Sequence, residues 1–157
     1  MSIAFRRILF PTDFSEVSLA ALPYAINHAE SFEAELHCIH VLDDGYQYWS
    51  ALGPESIPAG PPPEEMHALA VTRMGQLREE HLGSLTQSVV TEVIPGRPFK
   101  EIIVYAREHQ IDLIVMATHG RGAVAHMLLG STTELVIRKA PCAVLTIRWK
   151  DHTFEMP

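Results

Sequence analysis

The segment from Asp112 to Ala117 reads Asp-Leu-Ile-Val-Met-Ala, and it narrows the possible folds more than any other stretch of the chain. Five consecutive apolar residues without alternation leave no polar face for water, so a strand built from them is covered on both sides. Strands of that kind belong to parallel sheets whose crossover helices lie on both faces. Phe99, Ile102, Ile103 and Ala106, which precede the run, are spaced for one inward helix face.

The same strand-to-helix unit recurs along the chain. Residues 5–11 end at Pro11, and Thr12-Asp13-Phe14-Ser15 supplies turn and capping groups before Val17, Ala20, Ala21, Tyr24, Ala25 and His28 recur at helical spacing. Pro23 lies inside that pattern and should kink the helix or break one of its bonds. Residues 35–42 read as a second strand. About twenty residues rich in Pro, Gly and aromatics follow, and then a helix begins near Pro63, with Glu64 and Glu65 at its positive end. Met66, Leu69, Ala70, Met74, Leu77 and His81 mark one face of this helix, and Gly83 ends it. Residues 88–94 form a third strand, which Pro95-Gly96-Arg97-Pro98 breaks before the next helix.

After the central run, Ser131-Thr132-Thr133-Glu134 fits a capping box, and Arg138-Lys139 suits the carboxyl end of the helix that follows. Cys142 to Ile147 is the last strand. The sum is β-α-β-α-β-α-β-α-β, an α/β three-layer fold with a parallel sheet and right-handed crossovers. One domain over residues 1–148 is expected, with 149–157 as a short tail.

Composition excludes several classes of function. The chain has 157 residues, 47% hydrophobic and 20% charged, which is enough to bury a core without a structural metal or disulfide. A formal charge of −7, with 19 acidic residues against 12 Lys and Arg, has the wrong sign for a nucleic acid or an anionic membrane. Two cysteines, Cys38 and Cys142, suit neither a secreted disulfide framework nor a zinc site, so a reducing cytoplasm is expected. The amino-terminal run carries Arg6 and Arg7 and is unlike a cleavable signal, and no stretch approaches the roughly 20 apolar residues of a membrane span.

In open parallel sheets ligands bind beyond the carboxyl ends of the strands, where strand order reverses. This confines the candidates to Asp13 after the first strand, Val41 in the second, Met116 to Gly122 after the central one, and Gly130 to Thr133 at the last helix start. Glycines 120 and 122 let backbone approach a phosphate. Gly130-Ser131-Thr132-Thr133 offers amide groups, hydroxyls and the positive end of a helix dipole. Asp13 suits a ribose hydroxyl or base amino group, and Val41 suits a base. Each feature has a plain alternative: Ser-x-x-Glu caps many helices without a ligand, Asp13 can close a turn, and Val41 can be core. His119 and His126 make no metal site by spacing. Gly120-x-Gly122-x-x-Ala125 matches the dinucleotide fingerprint only superficially, since it comes late in the chain without the expected acidic residue.

The run from Met116 through Gly130-Ser131-Thr132-Thr133-Glu134 to Ala140-Pro141-Cys142-Ala143-Val144-Leu145 resembles the signature of the universal stress protein family. Ile8 to Ser15, His40-Val41 and Val93 to Pro98 fall where that family has corresponding segments, so the likeness covers residues 3–148. The family's ATP-binding branch carries Gly-x-x-Gly, nine residues, then Gly and Ser or Thr. Here nine residues separate Gly120 from Gly130, and Ala117 stands at the first glycine.

The resemblance implies strand order 3-2-1-4-5, with ATP as ligand and Mg2+ or Mn2+ as a possible companion ion. By position, Pro11, Thr12 and Asp13 would hold adenosine and Val41 would touch adenine. Met116, Ala117, Gly120, Arg121, Gly122, Gly130, Ser131, Thr132 and Thr133 would line the phosphate path. With that order Cys38 and Cys142 lie three strand spacings apart, roughly 14 Å, so both should be free thiols. The last strand, 142–147, would be an exposed hydrophobic edge, and a homodimer through it is expected.

The function implied is an ATP-binding stress-response regulator rather than primarily a catalyst. A slow metal-dependent ATPase and a nucleotide-free interaction or chaperone-like module are the alternatives. A phosphoacceptor receiver domain needs an aspartate after the third strand, where this chain has Ile94-Pro95-Gly96.

Overall fold

A computed structural model describes residues 4–43, 62–119 and 129–148. The Pro- and Gly-rich segment at 44–61 and the tail at 149–157 lie outside the described residues. Five parallel strands, β1 (Arg7–Pro11), β2 (Glu35–Asp43), β3 (Val89–Gly96), β4 (Leu113–Ala117) and β5 (Ala143–Ile147), form one sheet in the order β3-β2-β1-β4-β5. The expected order is thus the observed one. Ile8 pairs with Leu36 on one side and Leu113 on the other, so β1 occupies the middle of the sheet between β2 and β4.

The period-two alternation of the strands divides the interior into two layers. Ile8, Phe10, Leu36, Cys38, Leu113 and Val115 face one layer, which α1 (Glu16–Leu19), α2 (Leu22–Phe32) and α3 (Pro63–Leu77) close. Leu9, Ile39, Ile114 and Met116 face the other, under α4 (Pro98–Glu108) and α5 (Ser131–Lys139). Every residue of β4 is buried, the arrangement required by its unbroken apolar run.

Four local expectations are refined. Pro23 does not kink a single helix. The chain breaks into α1 and α2 around Ala20–Ala21, and Pro23 enters the first turn of α2, where its missing N–H costs no intrahelical bond. On α3 only Ala70, Met74 and Leu77 of the expected face are buried, while Leu69 is 47% exposed. A π turn over Arg78–Leu82 then adds a residue to the helical repeat, so Leu82 faces the core and His81 faces outward. Pro95 and Gly96 do not end the third strand, which runs through both as they pair with Leu42 and Asp43. β3 is an edge strand, so the N–H that proline lacks is not needed by a second neighbour. The capping box does not form, as described below.

Gly96 has φ 143, and a Cβ added there would lie 2.5 Å from Glu101 Cγ. Any L-residue at this position is strained whatever room Glu101 yields. Gly96→Ala is expected to lower unfolding free energy by about 1–3 kcal/mol in urea denaturation. A loss below about 0.5 kcal/mol would show that β3 ends earlier than described.

Candidate functional site

The carboxyl edge is built outward from β1 and β4, whose crossovers leave in opposite directions and open a crevice between them. Beyond Pro11 the chain is held by its own side chains. Thr12 is buried; its N–H donates to the Ile39 carbonyl at 2.9 Å, and its hydroxyl pairs with that of Ser18 at 2.9 Å. Thr12 Oγ1 also accepts from Phe14 N at 3.0 Å. Phe14 has φ 62, a left-handed conformation unusual for an aromatic residue, and its ring lies 4.5 Å from that of His40. His40 is buried, and its Nδ1 donates to the Thr12 carbonyl at 2.8 Å, because a carbonyl can only accept. The turn after β1 is therefore pinned from β2.

Asp13 performs the turn-closing role that sequence offered as its plain reading. Its Oδ1 accepts from Ser15 N at 2.9 Å and from Ser15 Oγ at 2.5 Å. Ser15 in turn caps α1 by accepting from Ser18 N at 3.2 Å.

On the β4 side, Met116 faces the layer under α4 and α5, and Val41 packs against that layer from β2. Ala117 belongs instead to the opposite buried cluster, with Phe10 and Val115. Its methyl group, the departure from the family's glycine, thus enters core packing on the α2 side. The Ala117 carbonyl accepts from Thr133 Oγ1 at 3.0 Å. The Thr118 carbonyl accepts from Gly130 N at 2.8 Å, and Thr118 N donates to Ile147 at 3.0 Å. These bonds draw the start of α5 against the end of β4.

Gly130, not Ser131, is the N-cap of α5, and no side chain among the described residues caps the helix. Ser131 is the first helical residue and is exposed, while Glu134 leaves the cap position to pair with Arg138 at 2.9 Å. Gly130 takes the cap position of the expected capping box, and a side chain has little room there, since a Cβ would lie 3.2 Å from the Thr118 carbonyl oxygen and 3.5 Å from His119 Cα. Among the described residues the first-turn amide groups of α5 have no side-chain acceptor, a favourable seat for an anion.

The structure therefore gathers Pro11, Thr12, Asp13, Val41, Met116, Ala117, Gly130, Ser131, Thr132 and Thr133 at one edge of the sheet. Gly120, Arg121 and Gly122 lie outside the described residues. Sequence reasoning missed His40 and Thr118 as supports. Both are buried polar residues at strand ends, which is the available signal, because such groups require partners. Among the described residues two concavities, of about 290 and 380 Å³, lie beside α1 and α2, sharing Leu19 and His81. None of the predicted site residues lines either one.

Both cysteines are free, as expected. Burial pushes the Cys38 thiol up to about 12, so it is not a ready nucleophile. Among the described residues no cluster of three metal-ligating side chains occurs, and no helix is long and apolar enough to cross a membrane.

The family model described as the universal stress protein family matches residues 4–148. The chain belongs to the universal stress protein family. Universal stress protein MJ0531 of Methanocaldococcus jannaschii is 34% identical over 151 residues, covering 92% of this chain and 82% of that one. Among solved structures, that of protein MJ0577, from the same archaeon, has a TM-score of 0.76 at 28% identity and covers 96% of this chain and 100% of its own. A universal stress protein solved in complex with cAMP shares the fold at a TM-score of 0.69 and 20% identity, covering 93% of this chain and 98% of its own.

Proposed function

We propose that this universal stress protein binds an adenine nucleotide, ATP foremost, across the carboxyl ends of β1, β2 and β4, and acts as a regulator rather than chiefly as a catalyst. The observation that carries this reading is the start of α5, which no side chain among the described residues caps and which is drawn against β4 by the bond from Gly130 N to Thr118 O. Phosphate oxygens would accept from the first-turn amides and from the Ser131 and Thr132 hydroxyls. Thr133 is already committed to Ala117 and would act by holding the helix in place. Val41 and Met116 offer apolar contact to the base, and Pro11 to Asp13 a rim for the ribose. Gly120, Arg121 and Gly122 would complete the phosphate path. A family member of the same fold was solved with cAMP, which favours the adenine nucleotide class.

Mg2+ or Mn2+ would be held mainly through the phosphate oxygens of the nucleotide. The stress protein unit would span 1–148 with 149–157 as its tail, in the cytoplasm. Among the described residues β5 has only β4 as a neighbour in the sheet, and its residues are half-buried to exposed. A second copy pairing along that edge would cover it.

Calorimetric titration of the full chain with ATP and magnesium tests the nucleotide reading, alongside mass spectrometry of nucleotide released on denaturation. Saturable binding is expected, weakened about tenfold in Asp13→Ala. Absence of binding at millimolar ATP would replace it with the nucleotide-free interaction module.

A further inference from the structure

At the opposite, amino-terminal pole of the sheet lies a second polar cluster that the nucleotide reading does not use. His37 of β2 is 3% exposed. Its Nε2 lies 2.7 Å from Glu35 Oε1 and its Nδ1 lies 2.9 Å from the Tyr105 hydroxyl on α4. An ionised carboxylate only accepts, so Nε2 carries the proton and the Nδ1 lone pair receives the Tyr105 O–H. The result is a satisfied chain from tyrosine through neutral imidazole to carboxylate.

The same groups fasten the carboxyl end of α4. The ring of His109 stacks on Tyr105 at 3.9 Å and meets His37 edge-on at 5.7 Å. Arg7 of β1 donates to the His109 carbonyl at 3.3 Å and to Gln110 Oε1 at 3.0 Å, and its Nε lies 3.9 Å from Glu35. The charged and titratable groups around the imidazole are therefore Arg7 from β1, Glu35 from β2, Tyr105 and His109 from α4, and Glu92 of β3 acting on Tyr105. Glu35 is the one carboxylate among them in contact with His37.

We propose that the Glu35–His37–Tyr105 chain is an acid-sensitive latch that ties the last turn of α4 to the start of the sheet. Adding a proton at Nδ1 reverses the bond, so that Nδ1–H donates to the Tyr105 oxygen and the Tyr105 hydroxyl hydrogen loses its acceptor, and it puts a positive charge in a buried position beside Arg7. Burial lowers the proton affinity of His37, with His109 and Arg7 acting in the same direction and Glu35 opposing them. The imidazole thus stays neutral in the fold while the unfolded chain takes up protons below about 6.5. The latch holds fully above that pH and weakens as pH falls towards the folded-state value. The bond from His37 holds Glu35 below the usual carboxylate range, so Glu35 remains ionised while His37 titrates. The latch stands whether or not the carboxyl edge takes nucleotide.

Hydrogen exchange of the full chain at about pH 7.5 and 5.5, corrected for intrinsic rates, is the test. Protection of residues 105–111 is expected to fall about tenfold on acidification, with β1 and β4 changing by much less, and to be flat in His37→Gln. Equal loss across the whole sheet, or an unchanged pH response in His37→Gln, would overturn the latch. Should His37→Gln fail to fold, imidazole NMR of the natural chain decides. His37 titrating below its ordinary value supports the latch and titrating at or above it refutes it. Tyr105→Phe keeps the ring, removes the donor, and should bring the His37 titration closer to that of a free imidazole.

Discussion

Gly130→Val is expected to abolish adenine-nucleotide binding at concentrations that saturate the natural chain, a loss of at least about 100-fold, or roughly 2.7 kcal/mol. The cause is steric. Gly130 has φ −69 and ψ 149, a conformation open to any residue. What it lacks room for is a side chain, because the first added carbon meets the Thr118 carbonyl oxygen at 3.2 Å and His119 Cα at 3.5 Å. Both are backbone atoms and cannot rotate away. Valine adds two further methyl groups, so the start of α5 must move off β4, breaking the bond from Gly130 N to Thr118 O and displacing Thr133 from Ala117. Gly130→Ala should show the same effect reduced to about tenfold, with about 1 kcal/mol lost from the fold. Calorimetry with ATP and thermal unfolding should be measured on both variants. Tight binding retained by a folded Gly130→Val protein would sink the assignment of phosphate to this helix start.

The second large effect is on stability. Phe10 is fully buried in β1, paired in register with Cys38 and clustered with Ala21, Leu22 and Val115. Phe10→Ala removes a ring from a layer that sheet and helices hold fixed, so a cavity remains and about 3–5 kcal/mol is lost. For a chain of this length that lowers the melting temperature by about 10 °C. The next residues are Pro11, Thr12 and Asp13, so any binding that survives should also weaken. A loss below about 1 kcal/mol would mean that α1 and α2 collapse into the gap.

Much of the fold was legible in the sequence because its signals are local. The unbroken apolar run of β4 demanded cover on both faces, and the punctuation by Pro11, Pro63, Gly83 and Pro98 marked where elements begin or end. The π turn was not legible. Periodicity from Met66 to His81 assumes a constant repeat, and one extra residue in the turn exchanged His81 for Leu82 at the core. Nor could the pairing of Pro95 and Gly96 within β3 be read, since proline is excluded from central strands but tolerated at an edge, and only assembly makes β3 an edge.

The same division holds for the two polar poles of the molecule. The residue types at the carboxyl edge, from Pro11 to Asp13 and from Gly130 to Thr133, were set by the sequence, because turn chemistry and helix-start chemistry are read from neighbours along the chain. The order of the strands followed from their resemblance to the family, and the tertiary structure bears it out. Tertiary structure alone decided that Gly130, not Ser131, would hold the cap, where its amide donates to the Thr118 carbonyl twelve positions earlier. It alone brought His37 to Tyr105, 68 residues away in sequence. A contact of that span depends on which helix lies over which strand, and no local pattern of side chains encodes it.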